Sequence, residues 1–132
     1  YLDGESGEDK LFGGAGDDLL VSNTGSVDMW LDGGAGNDTA IGNINADDTY
    51  HFALGNNQDT FYGGGSGGGD TDIIMLDNMP AGAINGWMNL SQGTYSTDAN
   101  GHILLSADAM GTITLADGST LTFDDVEKIM WT

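Results

Sequence analysis

The chain has 132 residues, with 21 acidic residues against two lysines and no arginine, giving a formal net charge of −19. That balance excludes nucleic-acid binding through phosphates, which requires lysine and arginine to displace counterions, and it disfavours anionic membrane surfaces. The absence of cysteine excludes disulfides and thiolate metal sites, and no apolar stretch approaches the ~20 residues of a transmembrane helix, so no membrane insertion is expected.

From the N-terminus, one pattern recurs seven times: an aspartate, a spacer and an apolar residue. The triplets are Asp9-Lys-Leu11, Asp18-Leu-Leu20, Asp28-Met-Trp30, Asp38-Thr-Ala40, Asp48-Thr-Tyr50, Asp59-Thr-Phe61 and Asp72-Ile-Ile74. Glycine-rich loops precede them, most regularly Gly13-Gly14-Ala15-Gly16-Asp17-Asp18 and Gly33-Gly34-Ala35-Gly36-Asn37-Asp38. Glycine permits the positive-φ, closely approached backbone of a tight loop. The residue two places after each aspartate then points inward from a short strand, because side chains alternate faces. A single unit cannot bury its own apolar side, so the units are expected to stack, bringing the aspartates of stacked loops within reach of a shared cation.

The repeat is uneven. Turn one has Glu5 where a glycine belongs, turn three (Ser22 to Asp28) is lengthened and poor in glycine, and turn five (Gly42 to Asp48) is also long. A glycine run from Gly63 to Gly69 precedes Asp72, and Pro80 punctuates the end of the repeat. Beyond it come hairpin-like runs, Trp87–Leu90, His102–Ser106, Gly111–Leu115 and Ser119–Phe123, with Asn100-Gly101 and Asp117-Gly118 as turn signals. Residues 1–80 carry a net −14 and residues 81–132 a net −5. The self-repulsion of the first part is best relieved by folding coupled to cation binding. Carboxylate and backbone oxygens in flexible loops suit calcium better than magnesium, and no histidine or cysteine cluster offers zinc or copper a home.

The loop Gly-Gly-x-Gly-x-Asp followed by x-apolar-x resembles the nonapeptide of the RTX (repeats-in-toxin) calcium-binding proteins over residues 4–76. The resemblance implies an all-β fold: a parallel β-roll over residues 1–76, two nonapeptides per turn, capped over residues 77–132 by antiparallel β-hairpins. It implies calcium between loops n and n+2. The pairs are Asp9 with Asp28, Asp18 with Asp38, Asp28 with Asp48, Asp38 with Asp59, and Asp48 with Asp72, up to about five ions. Main-chain carbonyls of both loops, such as those of Gly13, Ala15, Gly33 and Ala35, would complete the shell. Asp17, Asp47 and Asp70 lie beside the ladder and are expected to tune its charge, with Asp3 and Asp32 as candidate accessory ligands.

Tyr1-Leu2-Asp3-Gly4 reads as the middle of a repeat, so the chain is expected to belong to a larger polypeptide. No catalytic motif is present, and no enzymatic role is expected. The resemblance implies a module of a secreted or cell-surface bacterial protein, exported unfolded by type I secretion and folded by calcium outside the cell. The alternative is a calcium-dependent carbohydrate-binding or adhesin module that contacts polysaccharide, with Trp30, Trp87 and Trp131 as a stacking platform.

Overall fold

The computed structural model describes residues 1–22, 27–65, 69–77 and 86–132. The inserted part of turn three, the middle of the glycine run and the break at Pro80 lie outside the described residues. Among the described residues the strands are β1 (Leu2–Asp3), β2 (Lys10–Ala15), β3 (Leu19–Val21), β4 (Trp30–Ala35), β5 (Thr39–Ile41), β6 (Thr49–Phe52), β7 (Gln58–Tyr62) and β8 (Ile73–Leu76), then β9 (Met88–Gln92), β10 (Tyr95–Thr97), β11 (Ile103–Leu105), β12 (Met110–Thr114), β13 (Thr120–Asp124) and β14 (Lys128–Trp131). No helix occurs among the described residues.

The strands form two mostly parallel sheets of seven. The first has the order β1-β3-β5-β7-β13-β12-β9 and the second β10-β11-β14-β8-β6-β4-β2. Through β8 the chain alternates between sheets, and each strand pairs in parallel with the one two places on. The repeat spacing causes this: three strand residues bury one side chain, and the following loop carries the chain across to the other sheet.

Inward residues form two facing columns. Leu2, Leu20, Ala40, Phe61 and Phe123 are in register in the first sheet. Leu11, Leu31, Tyr50, Ile74 and Ile129 are in register in the second. All except Leu2, which packs against the others, are buried in one continuous core. Tyr50 and Phe61 stack at 5.3 Å between ring centroids.

Two findings differ from the expectation. The inward residue of turn three is Leu31, not Trp30, so its triplet is Met29-Trp30-Leu31. Sliding a strand by one residue exchanges its faces. The register that buries a leucine between the sheets leaves the bulkier Trp30 outside, stacked on His51 at 5.7 Å. The second difference lies in the tail. Its hairpins β12–β13 and β10–β11 are antiparallel as expected, turning at Gly118 and Gly101, both with positive φ. Yet β13 pairs in parallel with β7, and β14 in parallel with β8. The last repeat strands would otherwise leave unpaired N–H and C=O groups at both sheet edges, and the tail continues both sheets over them.

Candidate metal centre

The crossing loops stack along two edges. On one edge, the pairing of Leu19 with Thr39 and of Thr39 with Thr60 sets Asp18, Asp38 and Asp59 on successive rungs. On the other, Lys10, Trp30, Thr49 and Ile73 are in register, which aligns Asp9, Met29, Asp48 and Asp72. Stacked strands are about 4.8 Å apart, so each rung reaches the next by a hydrogen bond.

These bonds have a consistent direction. The Asp18 N–H donates to Asp38 Oδ1 at 2.8 Å, and the Asp38 N–H to Asp59 Oδ1 at 3.0 Å. Met29 N–H donates to Asp48 Oδ1 at 2.9 Å, and Asp48 N–H to Asp72 Oδ1 at 2.8 Å. One residue earlier in each loop an outer ladder runs the opposite way. Asn37 N–H donates back to Asp17 Oδ1, Gln58 N–H to Asn37 Oδ1, Asp47 N–H to Asp28 Oδ1 and Thr71 N–H to Asp47 Oδ1. Asp17 and Asp47 therefore hold loops in register, a role not evident from their position beside the ladder.

The inner rungs are deeply buried, with Asp38, Asp48, Asp59 and Asp72 at most 3% exposed. Among the described residues the ion pairs are those of His51 with Asp32 and Asp77, and of Asp98 with His102 and Lys128, so no basic group offsets the inner column. Burial raises the Asp38 carboxyl above its ordinary value, raises Asp48 and Asp59 to about 6, and raises Asp72 to about 8. Desolvation disfavours the charged form of a carboxylate unless an opposite charge stands close by. The inner column is thus a set of buried carboxylates whose charged form is disfavoured unless an opposite charge is brought close.

The rungs are not equivalent. Asp18 Oδ2 and Asp38 Oδ2 are both buried with no hydrogen-bond partner. By contrast, Asp48 accepts from the Ser22 hydroxyl and from the backbone N–H of Met29 and Asn43. Asp59 Oδ2 accepts from the Tyr50 hydroxyl at 2.8 Å. A buried tyrosine needs such a partner, and Tyr50 sits at an inward position where the other units carry hydrocarbon.

Glycines make the cradle. A Cβ placed on Gly13 would lie closer than 3.0 Å to both Asp18 Oδ2 and the Gly33 carbonyl oxygen, and one on Gly42 would meet Asp48 Oδ2 and the Gly63 carbonyl in the same way. A Cβ on Gly33 would collide with the Asp38 carboxylate. The Gly13 and Gly42 loops thus draw their own acid and a neighbouring turn's carbonyl around a residue with no side chain. No group of three or more His, Cys, Asp or Glu side chains is gathered in a metal-holding cluster among the described residues. A cation here would need main-chain carbonyls to complete its shell. The orphaned oxygens of Asp18 and Asp38, and the Gly13 and Gly33 cradles, fit a hard cation that takes carboxylate and carbonyl oxygens together. Ala15 and Ala35 are in register across the same pair of loops, and the Ala35 carbonyl also accepts the Gly16 N–H at 2.8 Å.

Asp28 requires a correction. It belongs to the outer ladder, and Met29 occupies its expected rung, 5% exposed, with its methyl group over Gly4 near Asp9. The pairs Asp9/Asp28 and Asp28/Asp48 are not brought together as inner rungs. Of the accessory candidates, Asp32 pairs with His51 Nδ1 at 2.8 Å, and Asp3 accepts from the Glu5 N–H and the Tyr1 hydroxyl.

The outer acids border a groove of about 400 Å³ lined by Glu8, Asp9, Lys10, Asp28, Trp30 and Asp47, among others. Trp87 and Trp131 meet edge to face at 6.4 Å, whereas Trp30 stacks on His51. Trp30 is thus stacked separately from the other two. Compared with known proteins, the chain matches no family model and no curated protein. The stacked acids are therefore the guide to function.

Proposed function

We propose that the chain is a calcium-dependent folding module, an RTX-type parallel β-roll with two nonapeptide units per turn, within a larger secreted bacterial protein. One observation carries this reading: a buried column of carboxylates without a basic partner, in which Asp18 Oδ2 and Asp38 Oδ2 lack any hydrogen bond. Calcium would supply neutralising charge and cross-link successive turns. Asp18 and Asp38, with the Gly13 and Gly33 carbonyls, are the favoured ligands, and Asp38/Asp59 and Asp48/Asp72 are the next pairs. Extracellular calcium modules bind with Kd of roughly 10⁻⁴ to 10⁻³ M, so the chain would stay unfolded at cytosolic calcium and fold after export. The role is structural rather than catalytic.

Circular dichroism with and without millimolar calcium tests this. The β signal should develop on adding calcium and disappear with chelator; a full β signal in chelator that ignores added calcium would sink the reading. The groove beside Trp30 supports a second reading, a calcium-dependent polysaccharide-binding module. A glycan array probed with calcium and with chelator separates the two, since a purely structural module captures no glycan in either condition.

A further inference from the structure

The groove beside Trp30 lies on the outer face of the second sheet. Lys10, Trp30, Thr49 and Ile73 are in register across β2, β4, β6 and β8, so this row spans four strands, roughly 15 Å at about 4.8 Å per strand. Burial of Leu31 between the sheets leaves the indole of Trp30 on the row, where the neighbouring units carry Lys10 and Thr49. His51, held by Asp32 at 2.8 Å and by Asp77 at 2.9 Å, stacks on the indole at 5.7 Å and fixes its plane. The volume of about 400 Å³ is that of a small-ligand site.

The groove also carries charge. Glu8, Asp9, Asp28 and Asp47 line it against a single base, Lys10. Asp28 and Asp47 are exposed, and the next turn pins one oxygen of each. Asp28 Oδ1 accepts the Asp47 N–H at 3.1 Å, and Asp47 Oδ1 accepts the Thr71 N–H at 2.7 Å. The second oxygen of each accepts no hydrogen bond among the described residues. An indole face suits the apolar face of a sugar ring, and it also attracts a cation. Four carboxylates against one ammonium draw positive charge and repel negative charge. A sugar bearing a protonated amine meets both demands, whereas a uronic acid chain meets like charge.

We propose that this groove selects a polysaccharide of amino sugars whose nitrogens are free and protonated. Trp30 takes a ring face, and Asp28 and Asp47 pair with ammonium groups along the chain. The inference rests on the polysaccharide-binding reading above and names the glycan class that its groove fits.

The test uses isothermal calorimetry on the 132-residue chain in saturating calcium, at a pH below the amine pKa. The probes are a β-1,4-linked glucosamine hexamer, its fully N-acetylated counterpart and a galacturonic acid hexamer. The glucosamine hexamer should bind roughly tenfold or more tightly than the acetylated one, with a preference that shrinks as salt is added. The uronate should not bind. Replacing Asp28 and Asp47 together by asparagine keeps an acceptor for both N–H groups and removes both charges. That double variant should cut the preference roughly fivefold. Trp30→Ala should weaken both amino-sugar hexamers, and Asp108→Asn, outside the groove lining, should change neither. Circular dichroism in calcium checks that each variant folds; if Trp30→Ala does not, the double variant decides. Equal binding of the glucosamine and acetylated hexamers overturns the amine selection and leaves the polysaccharide reading standing. Calcium-dependent uptake of the uronate overturns it too, because an ion would then bridge the groove to an acid. A chain that binds none of the three, nor any glycan of an array, overturns the polysaccharide reading itself.

Discussion

Replacing Asp38 by asparagine should have opposite effects in the presence and absence of calcium. The substitution preserves shape and keeps Oδ1 as acceptor for the Asp18 N–H, now 2.8 Å away. It removes a charge that is 1% exposed, has no basic partner, and whose second oxygen has no hydrogen bond. In chelator, the parent must bury this charge uncompensated, so Asp38→Asn should stabilise any folded fraction by about 1–2 kcal/mol, part of the gain being offset by an amide NH₂ left without a partner. In calcium, the same change removes a charged ligand worth about 1.5–3 kcal/mol, which corresponds to a folding midpoint roughly 10- to 100-fold higher in calcium. The assay is circular dichroism against free calcium, paired with a series in chelator where an excluded osmolyte such as trimethylamine N-oxide drives burial. Asp108→Asn is the control, because Asp108 is exposed and its carboxylate accepts a local hydrogen bond from the Ser106 hydroxyl at 2.7 Å. A calcium midpoint for Asp38→Asn no different from that of the control would refute the reasoning. Equal destabilisation in calcium and in chelator would refute it too, by reducing Asp38 to a hydrogen-bonding residue.

Gly33→Ala should weaken calcium-induced folding by about 1–3 kcal/mol, because the new Cβ collides with the Asp38 carboxylate and moves it. Gly14→Ala meets open space at φ +98° and should cost about 1–2 kcal/mol of backbone strain while leaving calcium affinity per folded molecule unchanged; calorimetry at saturating and limiting calcium separates the two. His51 gives a pH signature. Burial lowers its pKa, but hydrogen bonds to Asp32 and Asp77 and their charges more than offset this, leaving it above the ordinary value. Its contribution is therefore fully present below about pH 6.5 and is lost as pH rises through the elevated folded value. Thermal unfolding in saturating calcium should show the parent's advantage over His51→Gln shrinking across that window. A constant difference between the two chains would assign His51 a packing role alone.

Much of this architecture is written in local spacing. The Asp-x-apolar triplets point to short stacked strands with inward apolar residues, while the alternation between two edges and the pairing of Asp18 with Asp38 are what the resemblance to the RTX nonapeptide implies. Turn three departs from the expected triplet because the aspartate is not the fixed point of the unit. The glycine pair is the better anchor: Leu11 precedes Gly13-Gly14 by two residues, as Leu31 precedes Gly33-Gly34, and that count places Met29, not Asp28, on the inner rung. The outer ladder was invisible because a backbone N–H carries no sequence signal and because Asn37 does the work of an acid there.

The opposed ladders explain why these loops carry two polar residues in succession. At Asp38, Asp48, Asp59 and Asp72, one oxygen is committed to a backbone N–H of the preceding turn, so half of the carboxylate fixes the spacing between turns. The outer residue is bonded in the reverse sense by the turn that follows. The loops of Asp38 and Asp48 are thus bonded to the turns before and after them. Those bonds cannot cancel the charge they align. Asp38 spends Oδ1 on register and leaves Oδ2 buried and unanswered, and because the turns repeat, buried carboxylates accumulate along the column as units are added. Stacking therefore becomes more costly as the structure grows unless cations enter with it. On the proposed calcium reading, folding of such a stack is cooperative with ion uptake.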